Sequence, residues 1–125
     1  MIAKGTFLSW LVVADIEKAV KFYTEIMGLE LKEYNKEFGW AELSGAQGAL
    51  LGLAQENIEY GMKAGTNAVV TISVDDIHKA IEEMKQQGVR LIGDPIEIPG
   101  DVRMQTLIDI DGNMLQLVQN ISLDA

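Results

Sequence analysis

The same eight-residue pattern occurs twice in this chain of 125 residues, 61 positions apart. VADIEKAV at 13–20 and VDDIHKAI at 74–81 share five identical residues, and each follows an apolar run typical of a β-strand. Each is also followed by a helical pattern that closes with a glycine, in MGLEL and in QGVRL. An internal repeat of this kind predicts two copies of one structural module. We place the copies at 5–54 and 67–120 of a single domain, 1–125, and the linker between them at 55–66.

Each copy has the pattern of one helix and four strands. Apolar residues recur at helical spacing after Asp15 and Asp76, whose carboxylates are suited to cap the first turn of a helix. The helices are predicted over 16–27 and 76–87, and the later strands over 29–35, 37–44, 48–54, 89–93, 102–109 and 113–119. The fold class is therefore α+β, with two βαβββ modules. One helix covers only one face of each four-stranded sheet, so the other face must meet a partner or line a cavity.

The composition limits the possible partners and the possible chemistry. Acidic residues outnumber basic ones 19 to 10, a net charge of −9 that disfavours nucleic acid and permits cationic ligands. The chain has no cysteine, which excludes a thiolate nucleophile or metal ligand and favours a cytoplasmic location. No apolar run approaches the roughly 20 residues needed to span a bilayer, so no membrane partner is expected.

Two segments resemble the vicinal oxygen chelate superfamily, which contains glyoxalase I, extradiol dioxygenases, fosfomycin-resistance transferases and bleomycin-resistance proteins. VVADIEKAVKFYTEIMGLEL is similar to its first strand and helix, and DIDGNMLQL to its closing Asp-Pro-Asp-Gly-Asn hairpin, with Ile110 in place of proline. The resemblance covers essentially the whole chain. It implies that the two modules form a curved mixed sheet around a cleft. It does not specify the reaction, because the superfamily includes several chemistries and some plain binding proteins.

The resemblance also implies four positions for the metal ligands of the family's metalloenzymes. They correspond here to Leu8, Gly52, Val69 and Gln116, of which only Gln116 has a side-chain donor. A catalytic Zn²⁺ or Fe²⁺ site needs about three histidine or carboxylate ligands. His78, the single histidine, lies in the first turn of the second helix, away from its apolar side, and is expected to be exposed. We predict no metal site and no cofactor.

Strand alternation predicts which side chains lie on the faces away from the helices. If the family's ligand positions point into the cleft, so do Trp10 in the first module and Thr71 and Ser73 in the second. The same reasoning for the third strands assigns Arg103, Gln105 and Leu107 to the cleft. The predicted ligand-binding residues are Trp10, Phe38, Trp40, Glu42, Thr71, Ser73, Arg103, Gln105 and Gln116.

These residues favour a metal-independent protein that binds a small organic ligand, for example one that sequesters a cationic or aromatic compound. A second hypothesis is a glyoxalase-like lyase or isomerase, or a dioxygenase, with a divergent site in which Glu42 is the candidate acid–base group. A third is an interaction module whose inner face is filled by a second chain, and a homodimer is expected. Two simpler interpretations remain open: the tryptophans are core or interface residues, and Glu42 and Arg103 form an ordinary ion pair.

Overall fold

The computed structural model describes residues 8–60, 62–65 and 70–122, and the chain separates into two compact units, Met1–Asn67 and Ala68–Ala125. The elements of the first unit are β1 (Ser9–Val13), α1 (Ile16–Lys21), a π-helical segment (Phe22–Ile26), β2 (Glu30–Asn35), β3 (Trp40–Ser44), β4 (Leu51–Gln55) and a 3-10 turn (Ile58–Tyr60). Those of the second unit are β5 (Val70–Ser73), α2 (Ile77–Gln86), β6 (Arg90–Ile98), β7 (Val102–Ile108) and β8 (Met114–Asn120).

Each unit contains one four-stranded mixed sheet. The strand orders are β1-β4-β3-β2 and β5-β8-β7-β6, and in each sheet the first pair is parallel while the other two are antiparallel. The two topologies are identical, which confirms the predicted α+β class and its paired βαβββ modules. Neither α-helix in the described part of the chain has the length and apolar character needed to cross a membrane.

Both helices begin with the same two hydrogen-bonding devices. The carboxylates of Asp15 and Asp76 accept first-turn backbone N–H groups, from Lys18 and from His78 and Lys79 respectively. A glutamine at the end of the last strand of each module satisfies one more N–H group. Gln55 Oε1 accepts from the N–H of Ile16 at 2.9 Å, and Gln119 Oε1 accepts from that of Ile77 at 2.9 Å. Because the first N–H groups of a helix have no partner within it, these side chains fix each helix to its sheet.

The apolar sides of the helices pack on one face of each sheet and form the two cores. Tyr23 and Ile77 are fully buried there. The sheet residues of these cores are Leu11, Val13, Ala41, Leu43 and Leu53 in the first unit, and Leu107, Leu115 and Leu117 in the second. Gly28 and Gly88 follow the helices with φ of 78° and 73°, the left-handed conformation that glycine commonly adopts at the end of a helix.

Three strands differ from their predicted extents. The third strand begins at Trp40 rather than near 37, because residues 36–39 form a turn in which Gly39 has φ of 65°. In the second unit β6 continues to Ile98 through a register shift between Ile92 and Ile96. The strand predicted from 48 begins at Leu51 and ends at Gln55, so Gln55 belongs to the sheet rather than to the linker.

Candidate functional site

The helix-free face of the first sheet carries a continuous row of side chains. Trp10 pairs with Gly52, Gly52 with Glu42, and Glu42 with Glu33, across β1, β4, β3 and β2. Directly paired residues lie on the same face of a sheet, while their strand neighbours Leu11, Leu43 and Leu53 belong to the buried core. Trp40 pairs with Ala54 and lies on the helix-free face as well. The strand alternation predicted for Trp10, Trp40 and Glu42 agrees with this register.

Two indoles and a carboxylate contact one another on this face. The rings of Trp10 and Trp40 meet edge to face, with centroids 6.1 Å apart and planes inclined by 66°. The indole Nε1–H of Trp40 donates to Glu42 Oε2 at 2.9 Å. Trp40 is half-buried, whereas Trp10 keeps 47% of its surface exposed. Trp10 therefore presents the accessible aromatic surface, and Trp40 stands behind it.

Gly52 has no room for a side chain. A Cβ atom built there would lie 2.5 Å from Cη2 and 2.9 Å from Cζ2 of Trp40, and 2.8 Å from Cβ of Trp10. Real Cβ atoms do not approach other heavy atoms so closely, because this is well inside van der Waals contact. The Trp40 indole thus fills the volume that a side chain at position 52 would need.

Glu33 adds a second carboxylate to the same row. It lies directly opposite Glu42 across the antiparallel pair β2 and β3. Hydrogen bonding to Glu42, reinforced by repulsion between the two charges, raises the pKa of Glu33 above its ordinary value of 4.5. Like charges directly opposite each other destabilise a sheet. The row nevertheless places two carboxyl groups beside the indoles. Sequence reasoning did not include Glu33 in the site.

One row on the helix-free face of the second sheet contains polar residues. Gln116 pairs with Thr71 on β5 and with Thr106 on β7, which places three hydrogen-bonding side chains side by side. The next row contains Ser73, Val118 and Met104. The alternation predicted for Thr71, Ser73 and Gln116 agrees with this register. Gln116 is half-buried, and its neighbours supply hydroxyl groups that both donate and accept.

The alternation predicted for β7 is wrong. Gln105 pairs with Leu117 and Leu107 pairs with Leu115, so both lie on the helix side, and Thr106 takes the place predicted for Gln105. Gln105 is only 2% exposed, and its amide Nε2 lies 2.9–3.3 Å from the carbonyl oxygens of Ile92, Gly93 and Thr106. Its amide therefore donates hydrogen bonds to carbonyl groups in the irregular part of β6. A polar residue in a core position misled the alternation argument because its hydrogen bonds are made inside the sheet.

Arg103 and Phe38 also depart from their predicted positions. Arg103 has the same phase as Gln105 and pairs with Gln119, the residue that anchors α2. Its Nε donates to Glu97 Oε1 at 2.5 Å, which forms an ion pair within the second sheet. Phe38 lies in the turn before β3, outside any strand, with 82% of its surface exposed. Alternation does not apply to it there.

The positions implied for a metal do not supply a suitable set of ligands. Leu8 has no donor atom, Gly52 has no side chain and its space is taken by Trp40, and Gln116 offers one neutral amide. Val69 lies outside the described residues. Within the part of the chain that the structure describes, no three histidine, cysteine, aspartate or glutamate side chains come together to hold a metal ion. The donors present therefore do not fit the centre of the family's metalloenzymes.

The fold and its two repeated sheets define a protein of the paired βαβββ class. A profile of the Glyoxalase/Bleomycin resistance protein/Dioxygenase superfamily matches residues 5–117, and the chain belongs to this superfamily. It is 31% identical over 120 residues to a probable lactoylglutathione lyase of Vibrio parahaemolyticus, with 86% of this chain and 85% of that protein covered. It is 27% identical over 119 residues to a virulence protein of Salmonella typhimurium, covering 89% and 81%.

Solved structures share the same architecture. A superfamily member from Sphaerobacter thermophilus matches with a TM-score of 0.80 and 23% identity, covering 96% of this chain and 100% of that one. An antibiotic-binding protein from a Streptomyces species matches with a TM-score of 0.76 and 24% identity, covering 96% and 98%. At these identities the likeness extends to the fold alone.

Proposed function

We propose that this protein binds a small aromatic compound that carries positive charge, on the helix-free face of the first sheet, without the metal ion of the family's enzymes. The observation that carries the proposal is the row in which the exposed Trp10 indole lies beside Trp40, Glu42 and Glu33. Indoles stack on planar ligands and attract cations over their faces, and carboxylates add charge complementarity.

The metal-free part of the proposal is supported by ligand chemistry. A leucine, a glycine and a glutamine at the family's ligand positions provide one weak donor, and a single amide does not hold a transition metal. Addition of Zn²⁺, Ni²⁺ or Mn²⁺ is therefore expected to leave ligand affinity unchanged. Elemental analysis of the purified protein checks the same point, and about one tightly held metal per chain at these positions would contradict it.

The binding test uses two probes of nearly the same shape. Quinoline and 1-methylquinolinium differ by a methyl group and a charge, and at about pH 8 quinoline is neutral. We expect calorimetry to show binding of both, with the cation bound more tightly. Metal-free bleomycin is a larger probe suggested by the superfamily's own name.

A matched pair of variants locates the ligand. Trp10→Ala is expected to weaken binding of either probe by about 1–3 kcal/mol, since a truncated aromatic anchor has this effect. Ile58→Ala also shortens an exposed apolar side chain of the first unit, in the 3-10 turn, and is expected to leave affinity unchanged. Equal affinities of wild type and Trp10→Ala for every probe would overturn the proposal.

The 31% identity to a probable lactoylglutathione lyase favours one alternative, an enzyme with that activity. Glu42 is its candidate acid–base residue, but its carboxylate accepts the indole N–H of Trp40 and lies opposite Glu33. The assay follows lactoylglutathione in the presence of Zn²⁺ or Ni²⁺. A turnover that disappears in Glu42→Gln would favour this alternative over simple binding.

Exposed isoleucines favour another alternative, a face covered by a second copy of the chain. Ile96 and Ile98 pair with Met104 and Val102, so they lie on the helix-free face of the second sheet and are exposed there. Such an apolar surface is typical of an interface, in keeping with the homodimer expected from the sequence. Sedimentation velocity measures the mass. A dimer disrupted by Ile96→Lys with unchanged probe binding would assign the two faces separate roles.

A further inference from the structure

The contact between Trp40 and Gly52 positions an indole of the proposed ligand site, and the inference drawn from it rests on the proposed function. We propose that the Trp40 indole is the fixed back wall of the ligand site and that Glu42 is a positioning residue that holds it over Gly52. In this arrangement Trp10 contacts the ligand, whereas Glu42 acts on the ligand's aromatic part only through Trp40. Trp10, Trp40 and Glu42, which alternation places on one face, thus have three different roles.

Two features of the structure account for the position of the Trp40 indole. Its six-membered ring covers the backbone of Gly52, where even a methyl group would come within 2.5 Å of Cη2. At its other end the indole Nε1–H donates to Glu42 Oε2 at 2.9 Å. Glu42 is the strand neighbour two residues further along β3 and pairs with Gly52 itself. The hydrogen bond thus fixes the nitrogen end of the ring. At the other end, Gly52 has no side chain and leaves the space that the benzene edge occupies.

The edge-to-face contact with Trp40 also supports the Trp10 ring. The Trp10 ring meets Trp40 at a centroid distance of 6.1 Å and an angle of 66°, within the range that aromatic pairs prefer. A movement of Trp40 would therefore remove the support of the exposed indole. Preorganised aromatic surfaces bind more tightly because less side-chain freedom is lost on binding. Site shape then depends on position 52 as well as on the residues that touch the ligand.

The first test compares two replacements of Glu42 that have nearly the same size and no charge. Glu42→Gln retains an oxygen that accepts from the indole N–H, whereas Glu42→Met retains none. Because the two indoles lie 6.1 Å apart, we expect the wild type to show an exciton couplet in its circular dichroism spectrum. We expect Glu42→Gln to keep this couplet and Glu42→Met to lose it. Affinity for neutral quinoline is expected to be about 5-fold lower in Glu42→Met than in Glu42→Gln. Because both variants lack the charge, this difference isolates the hydrogen bond.

The second test changes the other end of the ring. Gly52→Ala is expected to abolish the couplet and to weaken quinoline binding at least ~10-fold, as expected for a displaced aromatic anchor. Gly45→Ala is the control, since a Cβ there meets no atom closer than 3.6 Å. Unfolding of Gly52→Ala would not remove the test, because the Glu42 pair does not depend on it.

The outcomes distinguish this inference from the proposed function. The couplet is measured without ligand, so an unchanged couplet in both Glu42→Met and Gly52→Ala would overturn the positioning role whatever the probes do. If the couplet is lost in those variants but Trp10→Ala binds every probe like the wild type, the positioning role stands and the proposed binding function is wrong. Equal quinoline affinity in Glu42→Gln and Glu42→Met also overturns the inference.

Discussion

The benzene edge of Trp40 lies over the backbone of Gly52, close enough to exclude even a methyl group at that position. The equivalent position of the second module is Gln116, whose own side chain lies between Thr71 and Thr106. The two modules therefore fill this equivalent position differently. One fills it with a neighbouring aromatic ring, and the other keeps a neutral polar side chain of its own.

The buried amide of Gln105 is expected to stabilise the second sheet. Gln105→Leu would remove the donor that lies near the carbonyl oxygens of Ile92 and Gly93, and unsatisfied buried groups cost about 1–3 kcal/mol. Urea unfolding measures the loss. Thr106→Val, one residue further along β7 on the helix-free face, is the control and is expected to change stability by less than about 0.5 kcal/mol. A Gln105→Leu variant as stable as the control would show that the amide has no structural role.

The glutamines at the strand ends should each protect one helix. In Gln55→Ala, hydrogen exchange of the Ile16 amide is expected to accelerate roughly 5-fold, corresponding to about 1 kcal/mol, while that of Ile77 is unchanged. Gln119→Ala should have the opposite pattern. Each variant is thus the control of the other. Faster exchange of both amides in either variant would mean that the effect is global rather than local.

Asp109 is expected to hold the closing hairpin together. Its buried carboxylate accepts from the backbone N–H groups of Asp111 and Asn113 and from Asn113 Nδ2, at 2.8–3.0 Å. Asp109→Ala should therefore lower the free energy of unfolding by about 3 kcal/mol, since hydrogen bonds to charged groups are among the stronger ones. Asp101→Ala, in the exposed turn between β6 and β7, should cost less than about 0.5 kcal/mol. Comparable losses in both variants would be inconsistent with this role.

The carboxylate pair should give the protein a defined dependence on pH. The pKa of Glu33 is raised in the folded state, chiefly by hydrogen bonding to Glu42 and by the charge of that residue. Its favourable contribution is therefore fully present below the ordinary value of 4.5 and is lost as pH rises through the raised pKa. Glu33→Gln is expected to be more stable than the wild type at neutral pH, and this advantage should disappear on acidification. Thermal unfolding at a series of pH values measures it, and an advantage that grows toward low pH would contradict the assignment.

The repeat and the helical periodicity predicted the order of the elements, because an apolar helix side and its capping aspartate are local features of the chain. Alternation also placed Trp10, Trp40 and Glu42 on one face, since their strand neighbours Leu11 and Leu43 are large and apolar. The same argument failed for Gln105. A buried amide satisfied by strand carbonyls has the same sequence pattern as a cavity-lining one, and only the register separates them.

Glu33 was beyond the reach of alternation for a different reason. Leu31 pairs with the core residue Leu43 on the helix side of the sheet, whereas Glu33 pairs with Glu42 on the opposite face, because the register shifts between them. In a regular strand, residues two apart share a face, so Leu31 would have assigned Glu33 to the core side. A one-residue irregularity reverses that assignment, and the local sequence around it carries no glycine or proline to announce it.

The π-helical segment accounts for a difference in length between the two copies. Asp15 and Gly28 are 13 positions apart, whereas Asp76 and Gly88 are 12 apart, so the first helix contains one more residue between equivalent ends. The widened segment over Phe22–Ile26, where the N–H of Met27 bonds the carbonyl of Phe22 five residues back, accommodates that residue. Beyond it Leu31 still pairs with Leu43, as Leu91 pairs with Leu107. The additional residue is thus accommodated within a single turn, and the strand that follows enters its sheet in the same phase as the equivalent strand of the second module.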